Sequence, residues 1–336
     1  MGIFNKLDRA IFLNKNTIVE KYILKLEELE KDAIGNLKEE IKREITCCKY
    51  GEHGEKQILF ELKNANIPMV VIRNFIIQDG ENIAQIDFLI ITKKLVYVVE
   101  SKNFVGNITL DNRGRFIREY FKDGIKVEES IYSPITQNQR HMEILKHKRA
   151  KSKNFISKIL FEKSFNNLYR DLVVLTNPKS IINDIYAPKE IKGKVIRADE
   201  LVEYIRRENL YSNEPECSDK ELINLTESFV KMRDRTVSTY SIKYNKFLNK
   251  LKEQKIISQE EDLRYKEQIK KELKYFRYNR AMHDKIKPYF IFTNKELEEI
   301  VEKLPKTKEE LMEIKGFSLT KIFKYGDDIL KIINKK

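Results

Sequence analysis

The chain has 336 residues, a length that suits two domains and a core large enough to fold without disulfide bonds. Its 65 Lys and Arg residues outnumber its 52 Asp and Glu residues, and the resulting net charge of +13 is typical of a protein that binds a polyanion. Three cysteines, two of them adjacent, form a poor disulfide framework, so reduced thiols and a cytoplasmic location are expected. No apolar run approaches the roughly 20 residues of a membrane-spanning helix, and no membrane partner is expected.

The N-terminal region has two helical patterns. Residues 1–48 are charged with apolar positions at helical spacing, which predicts an N-terminal helical extension. Residues 51–55 then open a second helix that places Glu55 on the same face as Leu59 and Leu62. An acid on an inward face invites a functional interpretation, but a solvated carboxylate in the first turn of a helix explains it equally well.

Between residues 49 and 208 the sequence alternates short apolar runs with helical patterns. Two runs rich in β-branched residues, 86–91 and 95–99, are so closely connected that they predict an antiparallel hairpin. Another buried strand is predicted at 171–176, and a helix begins at Pro134. This segment therefore predicts an α/β domain with a mixed sheet flanked by helices.

The length of the hairpin loop decides which side chains face each other. A two-residue loop at 93–94 places Asp87 opposite Glu100, whereas a three-residue loop places it opposite Val99. Directly paired carboxylates repel each other unless a cation lies between them. Because side chains alternate along a strand, Lys102 lies on the same face as Glu100, so two acids and a lysine converge at the end of the hairpin.

The C-terminal part lacks strand patterns. Capping-box sequences predict helix starts at Ser218, Ser258, Thr293 and Thr307. Residues 209–268 are therefore expected to form an all-α helical linker and residues 269–336 a small helical bundle. No glycine-rich phosphate-binding loop occurs, so the sequence does not predict a nucleotide-driven motor.

The residues at the hairpin end suit a hard divalent cation. Asp87 and Glu100 would bind Mg²⁺ or Mn²⁺ through oxygen, with the backbone carbonyl of Ser101 completing the coordination. Such an ion polarises a phosphodiester, and Lys102 would orient the attacking water or stabilise the developing charge. The competing interpretation is an ordinary ion pair at a strand end.

An acid followed by Glu-x-Lys resembles the PD-(D/E)xK nuclease superfamily, and residues 51–208 resemble its nuclease-related domain, NERD, with a restriction-endonuclease-like fold. The matching positions occur in the order Gly54-Glu55, Gln85-Ile86-Asp87, Val99-Glu100-Ser101-Lys102-Asn103-Phe104 with Gly106, Pro134 with Gln137 and His141, and residues 172–177. The resemblance implies that Asp87 and Glu100 are metal ligands and that Lys102 is the catalytic lysine. It also implies that Glu55 is a further acid near the metal and that Gln137 contacts the scissile phosphate or the attacking water.

Two positions near the predicted helix at Pro134 receive other interpretations. His141 matches the family pattern, but a packed or solvated histidine is the expected state. Ser133 replaces the Asn that usually precedes the proline in this family, and the change is expected to affect a helix cap and not the chemistry. The acid and lysine positions are intact, so the resemblance implies an active nuclease.

Residues 269–334 resemble the HRDC domain, a small helical module found beside helicases and ribonuclease D. The matching positions are Phe276-Arg277, Ala281, Pro288-Tyr289-Phe290-Ile291-Phe292, Leu297, Leu304-Pro305, Thr307, Glu310-Leu311, Ile314, Gly316-Phe317, Lys321 and Tyr325-Gly326. The resemblance implies auxiliary nucleic-acid binding, with Lys315, Lys321 and Lys324 as candidate phosphate contacts. A solvated lysine face, or a module that binds protein, is the alternative.

The sequence as a whole predicts a Mg²⁺-dependent nuclease that hydrolyses phosphodiester bonds, with DNA favoured over RNA, in bacterial defence or DNA repair. The alternative is a non-catalytic nucleic-acid-binding or scaffold subunit that works with a partner helicase. A third interpretation is a subunit of a defence or repair assembly that is active only with a partner. The oligomeric state and the choice between endonuclease and exonuclease stay open, and a homo-oligomer is compatible with the sequence.

Overall fold

The structure is a computed structural model that describes residues 8–13, 17–234 and 239–335. It divides into two compact units, Met1–Leu248 and Asn249–Lys336. Parts of the predicted N-terminal extension, residues 1–7 and 14–16, lie outside the described residues. None of the helices in the described ranges has the length and apolar content needed to cross a bilayer.

The described strands all lie before residue 198, whereas helices occur along the whole described chain. The strands are β1 Ala10–Leu13, β2 Met69–Asp79, β3 Asn82–Thr92, β4 Val96–Lys102, β5 Asn107–Leu110, β6 Phe116–Lys122, β7 Ile125–Ile131, β8 Tyr169–Leu175, β9 Ile182–Asn183 and β10 Val195–Arg197. The α-helices are α1 Thr17–Asp32, α2 Gly35–Lys63, α3 Pro134–Lys151, α4 Phe155–Leu168, α5 Leu201–Tyr211, α6 Asp219–Met232, α7 Thr239–Asp284, α8 Asn294–Lys303, α9 Lys308–Met312 and α10 Leu319–Ile333.

The first unit is built on a six-stranded mixed sheet with the order β1-β2-β3-β4-β8-β10. Strands β2, β3 and β4 are antiparallel neighbours, and β8 joins β4 in parallel. A second sheet, β7-β6-β5-β9, has four strands. The central strands are buried on both faces, which explains why their sequences read as continuous apolar runs.

Helices cover both faces of the six-stranded sheet. One core places side chains of α3, α4 and α6 against the sheet, and the other does the same with α2 and α5. The predicted α/β mixed sheet flanked by helices is therefore confirmed, as are the long helical region and the small helical bundle that follow it.

The N-terminal region differs from the sequence-based expectation in two ways. Strand β1 pairs in parallel with β2, so this part of the predicted helical extension is an edge strand of the main sheet. Helix α2 runs without a break through residues 51–55, where a new helix was expected to begin. The predicted boundary between residues 48 and 49 thus lies inside α2, because the buried face of this helix continues past Gly51 and Gly54.

The helical region also differs from the predicted start sites. Ser258 does not begin a helix, because α7 continues through it from Thr239 to Asp284. A capping-box sequence specifies a start only where the preceding residues leave the helix, and here the flanking Lys, Glu and Gln residues favour helix. The boxes at Ser218 and Thr293 do begin α6 and α8, as predicted. The expected boundary between residues 268 and 269 falls within α7.

The second unit surrounds its own apolar core. Residues of α7, α8, α9 and α10 pack around Phe292, Leu297 and Leu311, which are fully buried. Gly316 lies in the turn before α10 with a φ of +104°, and a Cβ there would clash with Oε1 of the buried Glu296. Only glycine fits this combination of a positive φ and a close approach without strain.

Candidate active site

The register of the β3–β4 hairpin confirms the predicted two-residue loop. Phe88 lies opposite Val99, and the amide of Thr92 donates a hydrogen bond of 2.9 Å to the carbonyl of Leu95. The β3–β4 ladder ends at the Phe88–Val99 pair. Continued by one residue, the same register places Asp87 opposite Glu100. The two carboxylates that the sequence singled out therefore occupy neighbouring strands at the same level.

The ladder between β2 and β3 is interrupted beside Asp87. Arg73 pairs with Phe88 and Phe75 pairs with Ile86 in the same register, but the pair between them, Asn74 with Asp87, does not form. Asn74 is buried and has a φ of +46°, a conformation that costs roughly 1 kcal/mol or more for a residue other than glycine. The backbone is thus distorted at the level of the acidic pair.

Asp87 is held by the backbone of the neighbouring strand. The amide of Ser101 donates to Oδ2 of Asp87 at 2.8 Å, whereas the carbonyl of Lys102 accepts from Thr176 beyond β8 at 3.0 Å. Since the N–H and C=O of one strand residue point to the same side, the carbonyl of Ser101 also faces β3. This orientation agrees with the expected use of that carbonyl as a ligand beside Asp87.

Lys102 joins the strand to helix α3. Its ammonium donates to Oε1 of Glu100 at 2.6 Å and to Oε1 of Gln137 at 3.1 Å. Gln137 lies in the first turn of α3, where the hydroxyl of Ser133 accepts the amide of Thr136, so Ser133 acts as the expected helix cap. The acid, the lysine and the glutamine therefore form one chain of contacts.

Asn138 fixes the position of α3 over the sheet. Its Nδ2 donates to the carbonyl of Val98 at 2.8 Å and to that of Leu172 at 3.2 Å, and its side chain is buried. These bonds tie the helix to both β4 and β8. Gln137, the preceding residue, is thereby held beside Lys102.

Glu55 reaches the same region from helix α2. It is buried, and its Oε2 accepts a hydrogen bond from Nη2 of Arg73 at 2.8 Å. Burial, followed by the charge of Asp87, raises the pKa of Glu55 to about 7, although Arg73 opposes the shift. Sequence reasoning placed Glu55 correctly on an inward face but missed Arg73, whose signal was a single cation within an apolar strand.

His141 is packed, as expected, but it also points at the site. Its Nδ1 lies 3.6 Å from Oε2 of Glu100, and neither atom has a hydrogen-bond partner among the described residues. Burial and the nearby Lys102 lower the pKa of His141 to about 4, so its ring is neutral near pH 7. A neutral ring supplies no positive charge to compensate Glu100 on this side when that carboxyl ionises.

The acidic pair has more negative charge than its neighbours neutralise. Burial first, and then the charge of Asp87, raises the pKa of Glu100 to about 8 despite its contact with Lys102. Burial also raises the pKa of Asp87, although the Ser101 amide opposes the shift. Converging carboxylates with one buried oxygen that accepts no hydrogen bond fit the requirements of a cation.

The available donors restrict which cation fits. Within the described ranges, no three His, Cys, Asp or Glu side chains form a group able to hold a metal. An ion between Asp87 and Glu100 would need backbone and solvent oxygens for its remaining ligands. A small hard cation such as Mg²⁺, which keeps several waters when it binds protein, suits that donor set.

The candidate phosphate contacts in the second unit differ in their surroundings. Lys321 donates to Oε1 of Glu296 at 2.8 Å, and Glu296 is buried, so this ammonium already has a structural partner. Lys315 and Lys324 are exposed. The sequence did not show the Lys321 ion pair, because Glu296 is 25 residues away along the chain.

Comparisons with known proteins identify two domains. The family model of the nuclease-related domain, NERD, matches residues 50–176, and that of the HRDC domain matches residues 266–333. The ATP-dependent DNA helicase Q-like 4B of Arabidopsis thaliana is 47% identical over 51 residues, which are 15% of this chain and 4% of the helicase. The chain thus spans a small fraction of that relative's length. No solved structure matches.

Proposed function

We propose that this chain, which carries a nuclease-related domain and an HRDC domain, is a metal-dependent nuclease that hydrolyses phosphodiester bonds, with DNA as the preferred substrate. The observation that carries the proposal is the position of Asp87, held by the Ser101 amide next to the strand end where Glu100 contacts Lys102 and, through it, Gln137. We place its activity in the cytoplasm, in defence or DNA repair. The HRDC domain would help to engage the nucleic acid.

Asp87, Glu100 and the carbonyl of Ser101 are the residues that would hold Mg²⁺ or Mn²⁺. Their oxygens are the hard donors that these ions prefer, and Oε2 of Glu100 has no hydrogen-bond partner within the described part of the chain. When bound, the ion would supply Lewis-acid polarisation of the phosphodiester. The protein fixes Asp87 through the Ser101 amide and fixes Glu100 through burial.

Lys102 and Gln137 would act on the substrate directly. The Lys102 ammonium is held between two oxygens, and from this position it would offer a positive charge to the phosphoryl oxygens as their negative charge develops. Oε1 of Gln137 accepts from Lys102, and its NH₂ group, which also interacts with Glu100, would donate to the phosphate or orient the attacking water. Glu55 would act through Arg73 and through its charge, close to Asp87.

The proposal is tested with purified protein and labelled single- and double-stranded DNA and RNA, in Mg²⁺, in Mn²⁺ and in chelator. We expect metal-dependent cleavage of DNA that falls by at least about 100-fold in Glu100→Gln and in Lys102→Met. The exposed pair Glu190→Gln and Lys189→Met provides matched controls that should cleave like the parent. Equal cleavage by the parent and both site variants would show that these residues are not the catalytic group.

The HRDC match and the short match to a DNA helicase favour a second function. In this alternative the chain is a non-catalytic nucleic-acid-binding subunit that works with a partner helicase, or a subunit of an assembly that needs such a partner. It predicts salt-sensitive binding of nucleic acid without turnover, unchanged by chelator. Copurification of an ATPase from the native host would support it, and size-exclusion chromatography would show whether the chain is also a homo-oligomer.

A further inference from the structure

Helix α4 carries apolar side chains on two opposite faces. Its inner face packs Phe161, Phe165 and Leu168 against the sheet core, and Phe165 stacks on Tyr169 with ring centroids 4.2 Å apart. Of the residues in α4, only Phe165 is buried. The outer face carries four large apolar side chains with exposed fractions of 78, 71, 38 and 63%, namely Phe155, Ile156, Ile159 and Leu160.

This outer face lies within a strongly basic part of the chain. Residues 146–163 contain seven Lys or Arg and one acidic residue, which gives a net charge of +6, close to half of the chain's total. Lys151 is paired with Asp79, and Lys158 lies 3.9 Å from Glu162 one turn further along α4. Both Lys158 and Lys163 are exposed beside the apolar side chains. An exposed apolar face bordered by lysines is typical of helices that lie in a membrane interface.

We propose that the outer face of α4 binds the surface of an anionic lipid bilayer. Phe155, Ile156 and Leu160 enter the boundary between head groups and acyl chains, while Lys158 and Lys163 contact lipid phosphates. This attachment is peripheral, since no described helix can cross a bilayer. It is separate from the proposed nuclease activity, because α4 contributes no residue to the acidic site.

Two other occupants fit the face less well. A symmetric dimer through α4 would bring the same positively charged lysines together. The apolar area is also small, because the four exposed side chains together present the surface of about two and a half fully exposed ones. At roughly 200 Å² each, this is about 500 Å², below the roughly 800 Å² per partner of a stable interface. A nucleic acid would use the lysines but not Ile156 or Leu160, because aliphatic side chains do not provide the stacking surface that bases require.

The chain contains no tryptophan, so a single one can report the contact directly. Phe155→Trp in the full chain is mixed with vesicles of phosphatidylcholine alone or of phosphatidylcholine with phosphatidylglycerol. We expect its emission to shift to the blue only with the anionic vesicles, and the shift to diminish at high salt. The control is Phe121→Trp in a hairpin that is exposed to 71%, and its emission should not change.

Flotation of the full chain with the same vesicles tests the two components separately. We expect Ile156→Ser/Leu160→Ser to reduce binding by about tenfold or more, and Lys158→Glu/Lys163→Glu to abolish the preference for anionic lipid. Lys189→Glu, an exposed charge change elsewhere, should bind like the parent. All of these positions are exposed, and thermal unfolding of each variant checks that the fold is retained.

Three results would overturn the proposal. The first is equal binding to neutral and anionic vesicles, or flotation of the parent without a shift in Phe155→Trp. The second is displacement of the chain from vesicles by duplex DNA together with a DNA-induced shift of Phe155→Trp, which would make nucleic acid the occupant. The third is self-association that is lost in Ile156→Ser/Leu160→Ser, which would identify a second copy of the chain.

Discussion

Replacing Glu100 by glutamine should remove a pH dependence of stability that the fold creates. Glu100 is 2% exposed, and burial together with Asp87 raises its pKa from 4.5 to about 8. In the unfolded chain the carboxyl returns to its ordinary pKa near 4.5. The folded state therefore holds a proton that the unfolded state has lost throughout the range between these two values.

The sign follows from this difference. Because the folded state binds more protons, the free energy of unfolding falls as the pH rises from about 4.5 to about 8, and this loss is complete above the folded pKa. Each pH unit in that window lowers the free energy of unfolding by about 1.4 kcal/mol per proton. The ionisation of Glu100 therefore lowers the stability of the metal-free protein by about 2 kcal/mol between pH 6 and pH 8. Glu55, with a pKa of about 7, changes stability in the same direction.

The assay is urea unfolding followed by circular dichroism at pH 6, 7 and 8 in the presence of chelator. We expect Glu100→Gln to be more stable than the parent already at pH 6, and its advantage to grow by about 2 kcal/mol between pH 6 and pH 8, since the amide cannot ionise. Glu190→Gln, an exposed substitution, should follow the parent at every pH. Parallel loss of stability in the parent and Glu100→Gln would refute the reasoning.

Three further outcomes are expected from the contacts around the site and in the second unit. Arg73→Met should lower the free energy of unfolding by about 3 kcal/mol because it removes one member of the buried Glu55–Arg73 ion pair, and Arg73→Met/Glu55→Gln should recover most of the loss in urea titrations. Gly316→Ala should destabilise the second unit by about 1–3 kcal/mol because of its positive φ and the close carboxylate of Glu296. The control is Gly51→Ala, which lies inside α2 with open space around it and should leave stability unchanged or raise it. Unfolding followed by circular dichroism measures both. Ser133→Ala should cost about 1 kcal/mol by removing the α3 cap, and the same titration measures it.

The hairpin shows what local sequence can specify. Loop length sets the register of a β-hairpin, so two lysines between two apolar runs were enough to place Asp87 opposite Glu100. Helical periodicity likewise placed Glu55 on a buried face of α2. Both inferences depend only on residues that are close along the chain.

The parts that could not be predicted depend on tertiary contacts. Arg73 reaches Glu55 across 18 residues, and Asn74 adopts a positive φ that its neighbours in sequence do not require. Strand β1 joins the sheet through backbone pairing with β2. Backbone pairing leaves no strong sequence pattern in a strand of four residues. Tertiary packing, and not local propensity, decides each of these features.

The charges of the site explain why its acids have raised pKa values. Among the described residues, three acids, Glu55, Asp87 and Glu100, lie with two cations, Arg73 and Lys102, in a largely buried region. With every group ionised the cluster would carry one net negative charge, which burial makes costly. A proton on Glu100 removes that charge in the metal-free protein, and a divalent cation would remove it by replacing the proton. Cation binding should therefore release protons near pH 7, and calorimetry in buffers of different ionisation enthalpy would detect a heat that depends more strongly on the buffer in the parent than in Glu100→Gln.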